Sequence, residues 1–135
     1  MISDIKILIV DDYQLMRSLL KEALIQSGFK NITEAENGQV AYDKITEAHM
    51  QGCEYNLIFV DWNMPIMTGY DLIKKCKTTD QLKNLSFIMV TAERDKKNIL
   101  AAFNAGATDF VTKPFSPKQL ISKIEKAFEK IKAVS

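Results

Sequence analysis

The chain has 135 residues, and its 18 Lys plus Arg against 17 Asp plus Glu give a formal charge of +1, which removes any global electrostatic case for nucleic acid. With 47% hydrophobic and 26% charged residues it has the averages of a soluble globule, and its length suits a single domain over 1–135 with no room for an output domain. The absence of an 18-residue apolar run, of a signal-peptide start in "MISDIKILIV" and of any CxxC around Cys53 and Cys76 leads us to expect a cytoplasmic protein with reduced thiols and no membrane, disulfide or zinc role.

In chain order, "IKILIV" (5–10) has the length and composition of a buried strand and ends on Asp11 and Asp12. Met16, Leu19, Leu20, Ala23 and Leu24 then form a helical stripe that stops at Gly28. "NITEA" (31–35) is a weaker strand that delivers no comparable polar group at its end. After a long connector, "TEAHMQGCEY", the run "LIFV" (57–60) delivers Asp61, with Asn63 and the loop-breaking Pro65 just beyond. "FIMV" (87–90) leads into Thr91, and a stripe of Ile99, Leu100, Phe103 and Ala107 stops near Gly106. "DFVT" (109–112) is a second weak strand, followed by Lys113 and Pro114. Ser116 and Pro117 are a helix cap and first helical residue ahead of Leu120, Ile121, Ile124, Phe128 and Ile131.

This alternation predicts an α/β protein, (βα) five times over, with a five-stranded parallel sheet covered by helices on both faces. Ligands in open α/β sheets bind at the carboxyl ends of the strands, where strand order reverses. The absence of a polar group after the second strand suits an outer position in the order 2-1-3-4-5. The first and third strands are then neighbours, about 4.8 Å apart, and their terminal acids converge. Two carboxylates about 5 Å apart at an effective dielectric of 20 repel by roughly 3 kcal/mol, so a cation is required. Oxygen donors without histidine or thiol favour Mg²⁺, with Mn²⁺ as a substitute. A metal, an ammonium (Lys113) and a hydroxyl (Thr91) around Asp61 match a phosphoryl group carried by that aspartate as an acyl phosphate. A carbonyl at Asn63 completes the expected metal set of Asp11, Asp12, Asp61 and Asn63.

"VDD" (10–12), "DWNMP" (61–65), "MVTAE" (89–93) and "KPF" (113–115), taken together and in order, resemble the receiver domain of bacterial two-component response regulators over essentially the whole chain. Trp62-Asn63 after the acceptor and Glu93 two residues beyond Thr91 make it most similar to the stand-alone chemotaxis regulators. The resemblance implies a flavodoxin-like sheet, a histidine kinase as phosphoryl donor to Asp61, and a readout surface made by the fourth helix, fifth strand and fifth helix. It also implies the flagellar motor switch protein as partner, a phosphatase as a further one, a monomeric state and a cis Lys113-Pro114 bond. Two departures stand out. Phe110 replaces the tyrosine common in chemotaxis regulators, leaving a ring that flips inward with Thr91 but no hydroxyl, and the connector before the third strand is longer, which extends the second helix or makes a private docking surface.

Simpler readings compete. Asp12 alone suits a cap for the first helix and Thr91 a cap ahead of "AERD". Lys113 alone suits a solvated lysine. His49 has no evident carboxylate or cysteine partner and reads as a solvated helix residue. Among functions, a phospho-switch stands against a phosphorelay intermediate that passes its phosphoryl group to a second histidine protein. A Mg²⁺-dependent phosphatase wants an acid where Asn63 stands, and a flavin module wants glycine and hydroxyl groups where "DDYQ" stands.

Overall fold

In a computed structural model, residues 4–134 are described, with the side chains of 128 and 130–134 outside the description. Five strands alternate with five helices: β1 (Lys6–Val10), α1 (Gln14–Gln26), β2 (Asn31–Ala35), α2 (Gly38–Met50), β3 (Leu57–Val60), α3 (Gly69–Lys77), β4 (Ser86–Thr91), α4 (Lys96–Ala105), β5 (Asp109–Thr112) and α5 (Pro117–Val134). The sheet is parallel throughout in the order β2-β1-β3-β4-β5, with Val10 opposite Val60 and Val60 opposite Met89. Both the strand order and the (βα)5 alternation agree with the reading of the sequence.

The apolar runs bury both faces because side chains alternate across a strand. Leu8, Val10, Ile58, Val60, Phe87 and Met89 point into one core, closed by α2, α3 and α4 through Ala41, Ile45, Leu72, Ile73, Cys76 and Ala102. Ile7, Ile9, Leu57, Phe59, Ile88 and Val90 point into the other, closed by α1 and α5 through Leu20, Ala23, Leu24, Leu120, Ile124 and Ala127. The α5 start is a reciprocal cap: the Gln119 amide donates to Ser116 Oγ at 3.1 Å and the Ser116 amide to Gln119 Oε1 at 3.2 Å. The side chains of Phe128 and Ile131, read as part of that helix's apolar stripe, lie outside the described residues.

Three expectations are corrected. The stripe read around α4 enters the core only in part: Leu100 and Phe103 are exposed, Ala102 is the residue that α4 buries, and Ala107, just past the helix, is buried in the core. On α1, Leu19 is likewise exposed while Leu20, Ala23 and Leu24 are buried. His49 does have a carboxylate partner, its Nδ1 lying 2.6 Å from Glu54 Oε1 across the turn after α2. The connector in fact extends α2 through Met50, and Lys6 ties the return to β1 by donating from its Nζ to the Cys53 carbonyl at 2.6 Å.

Cys76 is buried in the α3 core and burial pushes its thiol up to about 12, whereas Cys53 is exposed. An acid that stays neutral in the fold above its ordinary value of 9.0 lends stability below pH 9.0 that is lost as pH rises toward 12. Iodoacetamide at pH 9 should therefore modify one thiol, Cys53, in the native protein and both after denaturation, as read by intact mass. Two modified thiols in the native protein would contradict this burial.

Candidate functional site

Among the described residues only three polar or charged side chains are buried, Asp11 (4% exposed), Asp61 (6%) and Thr91 (2%), and all three stand at the carboxyl ends of neighbouring strands. Burial of charge is costly unless it is paired. The partner comes from the far edge of the sheet: Lys113, just past β5, extends its Nζ to Asp11 Oδ2 at 2.8 Å and Asp61 Oδ2 at 2.9 Å. Burial pulls the Lys113 ammonium down, but hydrogen bonds to Asp11 and Asp61 and their charges outweigh it and hold the net shift upward. The pairing thus stabilises fully below the ordinary lysine value of 10.5 and fades only above it.

Oxygens of Asp11, Asp12 and Asp61 all lie within 4.8 Å of one another. One ammonium against three carboxylates leaves two negative charges uncompensated. Asp12 makes the deficit concrete, since its Oδ1 is buried and has no hydrogen-bond partner, the only such side-chain atom among the described residues. The cap reading of Asp12 fails on the same observation: the residue at the N-cap of α1 is Tyr13, and its amide donates at 2.9 Å to Asp11 Oδ1. An orphaned acceptor in an all-oxygen set suits a hard divalent cation, to which Asp11, Asp12 and Asp61 would supply carboxylate oxygens.

The loop after β3 is shaped to present Asp61. The Asn63 amide donates to Asp61 Oδ1 at 3.3 Å, and the Gly69 amide returns to the Trp62 carbonyl at 2.9 Å. A Cβ on Gly69 would collide with the Asp61 carbonyl, so only glycine permits this close return. Asp12, Asp61, Asn63 and Lys113 line a cleft of about 580 Å³ that also takes in Tyr13 and Met16. Thr91 is not the cap of α4. That role belongs to Asp95, which accepts from the Lys97 amide at 2.9 Å, while Thr91 Oγ1 accepts from the Glu93 amide at 3.2 Å.

Phe110 stands apart from the acids. Its ring packs edge-on against Phe103, 5.9 Å between centroids, and with Thr91 it lines a narrow cavity of about 10 Å³. The Lys113-Pro114 bond is cis. Two contributors were not singled out in the sequence. Gly69 was signalled only by its place after the loop, and Arg17, whose Nη1 donates to the Asp11 carbonyl, by nothing, because an arginine inside an amphipathic helix reads as a solvated residue.

A parallel sheet in this order, with an acidic cleft at the β1/β3 switch point and a lysine reaching in from the last strand, defines a receiver-type α/β module. The family model described as the response regulator receiver domain matches residues 7–125, and the chain belongs to that family. It is 40% identical to the chemotaxis protein CheY of Pseudomonas aeruginosa over 93% of this chain and 98% of that protein. It is 37% identical to CheY-3 of Vibrio cholerae over 95% of each. Among solved structures, V. cholerae CheY4 superposes with a TM-score of 0.81 at 28% identity, covering 91% of this chain and 98% of that one.

Asp12→Ala removes an unpaired buried acceptor, so without divalent metal it should raise stability by about 1 kcal/mol or more in urea unfolding. A destabilised variant under EDTA would show that Asp12 is already satisfied in the fold.

Proposed function

We propose that this receiver is a phospho-switch of the chemotaxis type, in which Asp61 accepts a phosphoryl group from the phosphohistidine of a histidine kinase. The observation that carries this reading is the environment of Asp61: a buried carboxylate facing an open cleft, flanked by two further acids and gripped by Lys113. In the transfer the donor's P–N bond breaks as an Asp61 oxygen forms the new bond to phosphorus. Asp11, Asp12, Asp61 and the Asn63 backbone carbonyl would hold Mg²⁺, with Mn²⁺ as a substitute. The bound ion supplies charge neutralisation on the phosphoryl oxygens. Lys113 is free to exchange a carboxylate oxygen for a phosphoryl oxygen within its present reach, and Thr91 brings a hydroxyl to the same rim from β4.

Readout is proposed for the surface of α4, β5 and α5. Leu100 and Phe103 expose apolar surface there, and Phe110 packs against Phe103 and shares a cavity with it and Thr91. With a free volume of about 10 Å³ the cavity cannot take the Phe110 ring as it stands, so inward rotation requires the residues that line it, Thr91 among them, to give way. The likeness to chemotaxis proteins supports the flagellar motor switch protein as partner and a cytoplasmic location, with a phosphatase as a further partner. Among the described residues no helix is long and apolar enough to cross a membrane. The chemistry is self-directed, so the protein is a switch and not an enzyme acting on other substrates.

Acetyl phosphate with Mg²⁺ should add one hydroxylamine-labile phosphoryl group, seen as a single mass increment. Asp61→Asn should reduce labelling to background, and persistent labelling of that variant would place the acceptor elsewhere.

A further inference from the structure

Asp11 is held on four sides, and one of those holds reaches in from outside the cleft. Its amide donates to the Ala35 carbonyl at 3.2 Å, its Oδ1 accepts from Tyr13 and its Oδ2 from Lys113. The fourth contact is Arg17, whose Nη1 donates to the Asp11 backbone carbonyl at 2.7 Å. The other edge of the same guanidinium, Nε, is fixed at 3.1 Å by Glu34 Oε1. Glu34 is in turn held on β2 by its register opposite Ile9 and by Lys44, which donates to its backbone carbonyl at 2.6 Å. The Arg17 side chain is largely buried, at 14% exposure, so the bracket is not a loose surface pair.

β1 ends at Val10, and the Asp11 carbonyl has no strand partner to fix the peptide plane that joins Asp11 to Asp12. That plane sets the direction in which Asp12 projects its orphaned oxygen. A guanidinium clamped at both edges fixes it more rigidly than a lysine would, because the fork is planar and its donors have a set geometry.

We propose that Arg17, clamped by Glu34, is a positioning residue for the divalent-cation site: it orients the Asp11-Asp12 peptide and so sets metal affinity without touching the ion. This rests on the metal reading of the acidic cleft given above. Groups outside a metal's own ligands that orient those ligands are commonly worth 10- to 100-fold in affinity. The sign separates positioning from charge. Deleting a cation beside a divalent site tightens binding on Coulomb grounds alone, whereas loss of positioning weakens it.

The test is Mg²⁺ titration of the unphosphorylated protein by calorimetry, with emission of Trp62, the single tryptophan, as a second readout. Arg17→Met should weaken affinity about tenfold. Lys21→Met, which removes a cation 3.6 Å from the same Glu34 without reaching Asp11, should leave it unchanged or slightly tighter. Unchanged or tighter binding by Arg17→Met overturns the proposal, as does an equal loss in Lys21→Met, which would trace the effect to a general disturbance around Glu34 and not to the Arg17 contact with Asp11. Should Arg17→Met not fold, Arg17→Lys provides the second arm: it keeps the charge but lacks the planar fork that spans the Asp11 carbonyl and Glu34, and should weaken Mg²⁺ severalfold, and an unaltered affinity there overturns the inference. Absence of any Mg²⁺ response in the wild-type protein would instead refute the metal reading itself.

Discussion

The structure turns on an electrostatic imbalance: three carboxylates meet at one rim of the sheet and a single ammonium answers them. Lys113 must cross the end of β4 to reach Asp61 on β3 and Asp11 on β1, a span open only to a long side chain placed just past β5. Without it, two buried acids would face one another unpaired, at a cost that folding tolerates poorly. With it, the site still carries surplus negative charge, concentrated on the unpartnered Asp12 oxygen. The fold is therefore stable enough to form and remains primed for a cation.

The surroundings serve the same end. Gly69 lets α3 begin hard against the Asp61 carbonyl, the Asn63 amide steadies Asp61 Oδ1, and Arg17 with Glu34 secures the Asp11 carbonyl from the opposite side. Rigid strands below and short, hydrogen-bonded loops above hold the carboxylates in place before any ligand arrives, which is the condition for electrostatic catalysis without reorganisation.

Helix α4 is anchored differently. It buries little more than Ala102, leaves Leu100 and Phe103 outside, and borders a small void shared with Thr91 and Phe110. A helix with so shallow an anchor loses few buried contacts when it shifts. Thr91, at the end of β4, lines that void, and β4 is the sheet neighbour of β3, whose end carries Asp61.

How much of this was legible in the sequence depends on the range of the interaction concerned. Strand positions, the (βα)5 alternation and the delivery of Asp11, Asp12, Asp61, Thr91 and Lys113 at strand ends were readable, because apolar runs of strand length have only one way to be buried in such an alternation. The caps were not: Asp12 and Thr91 suit caps by residue type, and only the path of the backbone gave those roles to Tyr13 and Asp95. Nor were Leu19, Leu100 and Phe103 distinguishable from core residues by period alone, since a stripe states which face is apolar but not how deeply it sinks. His49 and Glu54, Arg17 and Asp11, Gly69 and Asp61 meet through turns and neighbouring strands that no spacing rule encodes. Local chemistry and periodicity thus determined the elements and the residues at the rim. The direction of each carboxylate, the one left without a partner and the arginine that braces its neighbour were decided by tertiary packing, because they depend on distances between segments far apart in the chain.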